Sequence, residues 1–427
     1  MKEDLLHFIW KYKKLGLDNL VTTDGEQIEI IKTGTHNHLA GPDFLNAQVK
    51  IGQQLWAGNL EIHLKSSDWY AHSHEKDSNY QNVILHVVWD HDTEVFGSAN
   101  MPLPTLELRH FISKNLLANY QNLFDRRNVK FINCEKSISA VDQFHLDNWM
   151  ERLYLERLRR KSKEIERLLK ISQNNWEQVL FVLLLKSFGS NINGEAFVGL
   201  SKVVSFKTVR KLRGNILSLE SVFYGVLKLL ENDTITDEYF LALREEYTYQ
   251  KSKFNIQDEV VLKPDFFKLR PVNFPTIRLS QLAHLYHKED RLFSTLMDLE
   301  DVGQVYEFLN VSTHPYWIDH YTFGKQSAKR VKKLSKNFMD LLIVNAIIPL
   351  KFTYLKVIGK TDNDEFFSFL TKIKSEKNTI ISNFENAGIK ATNAWQSQSL
   401  IELYQNYCSK NECLQCKIGS LLLSGND

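Results

Sequence analysis

Apolar and polar residues alternate over short stretches between residues 20 and 110, and this period of two predicts β-strands. The stretches are 27–34, 44–52 and 55–65, and the short turn between the last two predicts a hairpin. The apolar run at 83–89 predicts a strand covered on both faces, and 105–111 predicts one more short strand. With an opening amphipathic helix and a helix at 112–124, the pattern predicts a small mixed α/β domain over residues 1–125.

The periodicity changes to 3.6 residues after about residue 140, where segment after segment has the pattern of an amphipathic helix. Loop-forming residues are sparse in this part of the chain. The pattern therefore predicts a second, mainly α-helical domain over residues 126–427, which ends in a cluster of cysteines.

Charge does little to narrow the function, because 53 Lys and Arg residues stand against 51 acidic ones. A nucleic-acid partner would have to be met by a local basic patch. The longest apolar stretches, 179–185 and 340–350, are shorter than the ~20 residues that cross a bilayer. The N-terminus also lacks the apolar core of a signal peptide. These features predict a cytoplasmic protein with no membrane partner.

Four chemically capable side chains lie on the predicted hairpin: Asp43, Glu61, His63 and Lys65. Asp43 opens one strand and Glu61 lies late in the next, so the hairpin brings both carboxylates to one end and one face of the sheet. Neighbouring carboxylates repel unless a cation lies between them, and Mg²⁺ and Mn²⁺ prefer oxygen ligands. Glu61, His63 and Lys65 share a face, where a basic group can orient or deprotonate a water. We therefore expect Asp43 and Glu61 to bind metal and all four residues to be catalytic.

The residues GPDF at 41–44 followed by EIH at 61–63 resemble the signature of the PD-(D/E)xK nuclease superfamily. This resemblance implies that Asp43 and Glu61 hold a divalent metal and that His63 occupies the position of the signature Lys. The predicted order of helix, three strands, connection and strand is also similar to the core of that nuclease fold. The resemblance implies a metal-dependent nuclease that hydrolyses phosphodiester bonds in DNA or RNA. Because His63 is not Lys, a non-catalytic scaffold that binds nucleic acid or protein remains the alternative, and Lys65 can substitute from the same face.

Longer motifs in the same region are similar to a bacterial family of unknown function. The motifs GPDFLNA, GNLEIH, DWYAHSH and LHVVW resemble the family called domain of unknown function 2851, and the similarity runs over most of the chain. This resemblance implies no activity.

Two other interpretations of the same segment remain open. In a purely structural one, the turn and cap residues are His36, Asp43 and Asp68, while Glu61 and Lys65 form a cross-strand charge pair on a solvated face. In a second enzymatic one, His63 and His72-x-His74, with an acid such as Asp77, bind Zn²⁺ and make a hydrolase. The crowding of histidines weighs against the structural interpretation; they are His36, His38, His63, His72, His74 and His86.

The C-terminal cysteines have the spacing C-x4-C-x2-C, formed by Cys408, Cys413 and Cys416, and the fourth cysteine is Cys134. Four thiolates complete a site for Zn²⁺ or a [4Fe-4S] cluster. Such a site would clamp the C-terminus onto the start of the helical part. The arrangement resembles the iron-sulfur staple of some PD-(D/E)xK nucleases, with different spacings. The alternative is four unpaired cysteines.

Basic residues without acidic neighbours crowd the segment 325–336, which we predict to be helical. Its residues Lys329, Arg330, Lys332 and Lys333 form the predicted nucleic-acid-binding surface, because Lys and Arg neutralise phosphates and release counterions. The sequence does not distinguish DNA from RNA and does not indicate an oligomeric state.

Overall fold

The chain forms two compact units in the computed structural model, which describes residues 1–97, 100–125, 127, 129–257, 261–360 and 369–425. Unit 1 comprises Met1–Met150, Thr379–Lys390 and Leu400–Asp427, and unit 2 comprises Glu151–Asn378 and Ala391–Ser399. The predicted division at residue 125 differs from this partition. No pattern in the local sequence indicates that segments near the C-terminus belong with the N-terminal sheet.

Unit 1 contains a mixed sheet, as the alternating pattern predicted. Its strands are β1 (Ile28–Lys32), β2 (Thr35–His36), β3 (Phe44–Ile51), β4 (Gln54–Lys65), β5 (Val83–Asp90) and β6 (Thr105–Glu107). The order is β1-β3-β4-β5-β6, with β2 also paired to β3. Strands β1 to β4 pair antiparallel, whereas β5 and β6 run parallel to β4. Six consecutive residues of β5 are buried, as expected for a strand covered on both faces.

The hairpin between β3 and β4 turns at Gly52 and Gln53, since Ile51 pairs with Gln54. Gly52 has φ of +57°, the left-handed conformation that a two-residue hairpin turn needs and that glycine adopts without strain. The turn sets the pairing from Ile51–Gln54 to Ala47–Gly58, and an irregularity between Phe44 and Ala47, where Asn46 has φ of +58°, then shifts the register by one residue. Phe44 therefore lies opposite Leu60, which brings Asp43 level with Glu61.

Helix α1 (Glu3–Lys11) packs against β4 through an apolar stripe of Leu5, Leu6, Phe8, Ile9 and Trp10. The short helix α2 (Asp68–Ala71) follows β4, and α3 (Lys114–Phe124) follows β6. Because α1 lies over β4, the polar residues of its first two turns face the strand that carries Glu61 and His63.

Unit 2 is built from helices, as the 3.6-residue period predicted. Helix α4 (Gln143–Ile171) leads into it across the division of the units. The other helices are α5 (Trp176–Val203), α6 (Phe206–Leu212), α7 (Ile216–Val226), α8 (Glu238–Phe254), α9 (Pro275–Lys288), α10 (Leu292–Asp298), α11 (Val302–Phe308), α12 (Lys336–Leu342) and α13 (Ile348–Val357). A small hairpin pairs β7 (His320–Thr322) with β8 (Lys325–Gln326).

The stretch Lys336–Val357 is long and apolar enough to cross a membrane by length and composition. It comprises α12, the π-helical segment Ile343–Ile347 and α13. Within its most apolar window 72% is buried inside the protein, as in the core helix of a globular unit. This was the only such helix found in the part of the chain that the structure describes.

Three helices follow near the C-terminus: α14 (Thr379–Asn386), α15 (Ala394–Leu403) and α16 (Lys417–Ser424). Helix α14 and the residues from Leu400 onward belong to unit 1. There α16 packs on α3, and Leu423 joins the core beneath the sheet. Unit 1 is therefore assembled from the two ends of the chain.

Candidate functional site

Asp43 and Glu61 lie side by side, and each carboxylate accepts a hydrogen bond from a backbone N–H of the other segment. The Asp43 N–H donates to Glu61 Oε2 at 3.1 Å, and the Ile62 N–H donates to Asp43 Oδ2 at 2.9 Å. The two carboxylates are therefore brought together by the β3–β4 hairpin, as the sequence predicted. Glu61 is 5% exposed, so its placement on a solvated face is wrong.

A third acid, Glu3 of α1, adds negative charge near the carboxylates of Asp43 and Glu61. Burial first, then the charge of Asp43 and to a smaller extent that of Glu3, raises the pKa of Glu61 to about 9. Burial and the charge of Asp43 also raise the pKa of Glu3. Three acids thus share one partly dry region, which favours a proton or a cation among them.

His7, one helical turn after Glu3, faces the other side of Asp43. Its Nε2 lies 3.2 Å from Asp43 Oδ2. Burial lowers the pKa of His7, but the hydrogen bond and negative charge of Asp43 outweigh it, so the net pKa is raised. The raised pKa favours the charged imidazolium of His7 beside Asp43.

Three histidines meet on the Glu61 side. The ligand atoms of His63, His72 and His74 all lie within 4.8 Å of one another. His72 Nδ1 is 3.2 Å from His63 Nε2, and Glu61 Oε1 is 3.4 Å from His63 Nε2 and 3.3 Å from His74 Nε2. On its other nitrogen, His63 Nδ1 contacts His86 Nε2 at 2.9 Å. The structure thus brings together the histidines of the zinc interpretation, with Glu61 as the adjoining acid.

The segment after β4 brings His72 and His74 back toward the sheet. The Lys65 N–H donates to Asp68 Oδ2 at 2.9 Å, which ties the first residue of α2 to the end of β4. Asp68 is not the N-cap of α2: the cap position is Ser67, and no side chain there bonds the helix. Ser73 then adopts the left-handed conformation, with φ of +59°. Such a conformation is uncommon for a residue other than glycine, and here it reverses the chain so that the rings on both sides reach His63.

Burial favours the neutral imidazole at His63, His74 and His86. Burial, followed by the neighbouring His74 and His72, lowers the pKa of His63 to about 4. Burial also lowers the pKa of His74, and it lowers that of His86 well below the usual value. A neutral imidazole at His63 is a metal ligand or hydrogen-bond partner, and it lacks the positive charge of the Lys in the nuclease signature.

Lys65 lies away from this group, although it shares the strand face. Its side chain is 58% exposed, and its ammonium lies 3.9 Å from Asp92 Oδ2. His36 and His38 form a separate group on the Asp43 side, where His36 stacks on Phe44 with ring centroids 4.8 Å apart.

A cleft of about 410 Å³ opens beside the triad. It is lined by His74 together with aromatic side chains, notably Trp69 and Tyr80, and by the charged residues Glu75 and Lys76. His74 stacks on Tyr80 with ring centroids 3.8 Å apart. The cleft gives a ligand access to His74.

The four cysteines line a common pocket in unit 1, formed by Cys134, Cys408, Cys413 and Cys416. None of the four is in a disulfide. Burial and the neighbouring sulfurs raise the pKa of Cys134 to about 12. Burial likewise raises the pKa of Cys416 to about 11, although backbone N–H groups of Ile418 and Gly419 lower it.

The loop between Cys413 and α16 depends on a glycine. A side chain at Gly419 would place its Cβ 2.0 Å from the Cys413 carbonyl oxygen, a distance that no real Cβ contact allows. The Asn133 side chain donates to Cys413 Sγ at 3.4 Å. Local packing therefore holds the C-terminal cysteines against the segment that carries Cys134.

The predicted basic helix at 325–336 is wrong. Residues 327–335 form neither helix nor strand and lie between β8 and the first residue of α12. Over 331–335 exposed and buried residues alternate, so Lys332 points inward and is 4% exposed. Its ammonium donates to the carbonyl oxygens of Trp317, Ile318 and Arg330.

Three members of the predicted basic surface are exposed: Lys329, Arg330 and Lys333. Lys332 does not belong to it, because its ammonium is used to satisfy buried backbone carbonyls. The surface is therefore smaller than the composition of the segment indicated.

Sequence reasoning missed Glu3 and His7. Their four-residue spacing puts both on one face of an amphipathic helix, which was a usable signal. What the spacing could not reveal is that α1 docks on β4 with this face toward Asp43.

Comparison with known proteins places the chain in a family but assigns no activity. A family model, described as protein of unknown function (DUF2851), matches residues 3–379. The match includes Asp43, Glu61, the three histidines and Cys134, and it ends before the other cysteines. No curated protein and no solved structure matches the chain. Because the match covers most of the sequence, the chain belongs to the DUF2851 family of proteins of unknown function.

Proposed function

We propose that unit 1 hydrolyses phosphodiester bonds of nucleic acid with a divalent metal held by Asp43 and Glu61. The observation that carries this proposal is the reciprocal arrangement of Asp43 and Glu61 on adjacent strands, where each carboxylate accepts a backbone N–H next to the other acid. Acids this close need a positive partner, and Mg²⁺ or Mn²⁺ is the ion class that oxygen ligands favour.

The residues around Asp43 and Glu61 have different roles in the proposed reaction. A bound divalent ion would lower the pKa of an attacking water and polarise the phosphate. The backbone contacts of Asp43 and Glu61 fix both carboxylates before any ligand arrives, so little reorganisation is needed. His7 adds positive charge on the outer side of Asp43, where a negative phosphate is favoured.

His63 takes a different part from the Lys of the PD-(D/E)xK signature. It is 1% exposed, and its Nε2 faces Glu61 rather than solvent. We assign His63 to the support or ligation of metal rather than to charge stabilisation. His63→Lys should then abolish activity, because the ammonium would compete with a metal ion for Glu61.

The order of elements supports the nuclease reading. Helix α1, strands β1, β3 and β4 and then β5, parallel to β4, follow the same order as the PD-(D/E)xK core that the motifs resemble. The acids also lie at the corresponding positions, beside the start of β3 and within β4. The support is a likeness of order and motif.

The test is hydrolysis by the full-length protein of single- and double-stranded DNA and RNA, with Mg²⁺ or Mn²⁺ added. Asp43→Ala and Glu61→Gln should each lower the rate at least a hundredfold, because metal activation is worth several kcal/mol and about 1.36 kcal/mol is tenfold in rate. The matched control is Glu29→Gln, which removes an exposed carboxylate from β1 of the same sheet.

Calorimetric titration of Mn²⁺ separates loss of metal from loss of fold. The parent should bind Mn²⁺ and Asp43→Ala should not, while both give the same circular dichroism. Equal Mn²⁺ binding by parent and variant, or none by either, would rule out this mechanism.

A second candidate is a non-catalytic scaffold that binds nucleic acid, favoured by the acid-free basic surface of Lys329, Arg330 and Lys333 in unit 2. All three side chains are exposed. Binding without hydrolysis, with a salt dependence that decreases when these residues are reversed in charge, would support the scaffold.

We also propose that the four cysteines bind a structural metal, either Zn²⁺ or an iron-sulfur cluster. They come from two distant parts of the chain and converge on one small pocket. The Asn133 amide donates to Cys413 Sγ, and Cys416 lies at the N-cap of α16, where partial positive charge stabilises a thiolate. Elemental analysis and visible absorbance distinguish the two metals.

A further inference from the structure

We infer that His63, His72, His74 and Glu61 bind one transition-metal ion of the zinc class, at a position separate from the hard-cation position at Asp43. The inference requires no assumption about the reaction that unit 1 catalyses. It concerns the class of metal ion that binds on the side of Glu61 facing the histidines.

Three of the six distances between the four ligand atoms match a tetrahedral site. In such a site, with bonds of about 2.0–2.1 Å, neighbouring ligand atoms are roughly 3.3 Å apart. The three distances are 3.2 Å between His72 Nδ1 and His63 Nε2, 3.4 Å from His63 Nε2 to Glu61 Oε1, and 3.3 Å from His74 Nε2 to Glu61 Oε1. The ligand atoms of the three histidines all lie within 4.8 Å of one another, so one ion can bind all four atoms after small adjustments of the side chains.

The chemistry of these atoms also favours a cation. A carboxylate oxygen only accepts, and a neutral imidazole has one nitrogen with a free lone pair. His74 Nε2 is buried and has no hydrogen-bond partner, although Glu61 Oε1 lies close to it. A metal ion satisfies both atoms at once, whereas an unsatisfied buried polar atom costs about 1–3 kcal/mol.

His86 orients the most buried ligand. Its Nε2 lies 2.9 Å from His63 Nδ1, and His86 is itself 0% exposed on β5. Metal-binding histidines commonly donate their second ring N–H to a fixed neighbour, which sets the tautomer and the ring direction. With the Nδ1 proton on this contact, His63 directs its Nε2 lone pair toward His72 and Glu61.

Glu61 joins the two positions because its oxygens face opposite ways. Oε2 accepts the Asp43 N–H, and Oε1 faces His63 and His74. Imidazole nitrogens favour Zn²⁺ and its neighbours, whereas carboxylates favour Mg²⁺ and Mn²⁺. The arrangement therefore predicts a zinc-class ion that excess Mg²⁺ does not displace.

The test uses the full-length, metal-stripped protein titrated with Zn²⁺, and with Co²⁺ as a spectroscopic probe. His72→Ala and His74→Ala should each lose one equivalent of bound zinc relative to the parent. The matched control, His110→Ala, removes a histidine of unit 1 whose side chain is 62% exposed and should bind zinc as the parent does. His72 is also exposed, so its removal leaves the core intact.

The cobalt spectrum keeps this site apart from the cysteines, because thiolate ligands give charge-transfer absorption that imidazole and carboxylate ligands lack. His86→Phe should keep the site but weaken zinc binding about 10–100-fold. Unchanged zinc content in both His72→Ala and His74→Ala, or a parent whose bound cobalt is thiolate-ligated alone, overturns the inference.

One further variant separates the inference from the proposed reaction. Asp43→Ala should retain the zinc-class ion while it loses hydrolysis. A parent protein that binds zinc through the histidines but cleaves no nucleic acid would sustain the inference and overturn the proposed function. If Asp43→Ala also lost zinc, the two metal positions would not be separate, and the inference would be wrong.

Discussion

Unit 1 and unit 2 each bury a glutamate, but the surroundings of the two differ. Glu220 of α7 is 0% exposed, and its oxygens accept hydrogen bonds from the Ser280 hydroxyl at 2.5 Å and the Tyr239 hydroxyl at 2.6 Å. Glu61 of β4 is 5% exposed, and one of its oxygens faces two imidazole nitrogens instead of hydroxyl donors. Burial is nearly equal, so the difference lies in the partners.

The comparison shows that burial of a polar group is a weak indicator of a functional site. Buried polar groups in folded proteins are nearly always hydrogen-bonded, and unit 2 satisfies Glu220 from within the chain. Unit 1 instead gathers atoms that can each give a lone pair to a metal ion, at Glu61 and its histidines and again at the four cysteines. Convergence of acceptors without matching donors is the stronger sign that a cation belongs there.

The largest effect is expected at the four cysteines, the second place in unit 1 where metal-binding atoms converge. Cys413→Ser should remove the bound metal and destabilise unit 1 by several kcal/mol, because the energy of metal binding at such sites is also folding energy. Elemental analysis and thermal unfolding measure the two effects. The control is Ser409→Ala, an exposed position in the same segment. A metal-free parent that is fully folded, or a Cys413→Ser protein as stable as the parent, would contradict the site.

Nuclease activity provides the second test of the comparison between Glu61 and Glu220. Glu61→Gln should lower nuclease activity at least roughly a hundredfold, since it removes a charged ligand from the metal. Glu220→Gln, a matched change at a buried glutamate of unit 2, should leave the rate within about twofold. Parallel rate measurements on both variants decide the point. Similar losses in both would show that burial, rather than the convergent ligands, sets the effect.

The free energy of unfolding should depend on pH through the protonation of Glu220 in unit 2. Burial raises the pKa of Glu220 to about 7, even though Ser280 and Tyr239 lower it. A carboxyl with a raised folded pKa keeps its proton when the unfolded chain has released it. Its contribution is therefore fully present below the unfolded pKa of about 4.5 and is lost as pH rises through about 7, a change of roughly 3 kcal/mol.

Glu220→Gln should remove this slope. Chemical denaturation of parent and variant at about pH 5 and about pH 8 measures it, as the change in their difference in unfolding free energy. A parent-to-variant difference that is the same at both pH values would show that Glu220 is ionised in the folded state.

The smallest effects are expected at the basic segment of unit 2. Reversing Lys329, Arg330 and Lys333 to Glu should weaken nucleic-acid binding and reduce its salt dependence, with little change in stability. Lys332→Met should do the opposite: it leaves buried carbonyls unsatisfied, at a cost of about 1–3 kcal/mol, and leaves binding unchanged. Filter binding across a salt series, with denaturation of each variant, separates them. Unchanged affinity at low salt after the triple reversal would remove this surface from the model.

Much of the sheet was predictable because each strand carries its own signal. The predicted strands 44–52, 55–65 and 83–89 correspond to Phe44–Ile51, Gln54–Lys65 and Val83–Asp90. The hairpin turn at Gly52 sets the pairing as far as Ala47 and Gly58, and this was enough to predict that Asp43 and Glu61 lie at the same end of the hairpin. The one-residue shift between Phe44 and Ala47, which sets their exact register, could not be inferred from spacing.

What could not be predicted depends on packing between distant segments. The docking of His7 against Asp43 requires the orientation of α1 over β4, which no local pattern encodes. The inward direction of Lys332 follows from carbonyls at Trp317 and Ile318, in another segment. Composition could show that 325–336 is basic, but it could not show which cations satisfy the protein's own backbone.

The discontinuity of unit 1 along the chain has a consequence for synthesis. Asn133 and Cys413, which are in contact, lie 280 positions apart. Translation at about 5–20 residues per second leaves tens of seconds between the emergence of Cys134 and that of the C-terminal cysteines. During this interval the nascent sheet is exposed without α16, while the whole of unit 2 emerges. Unit 1 can therefore be completed only after nearly the whole protein has left the ribosome.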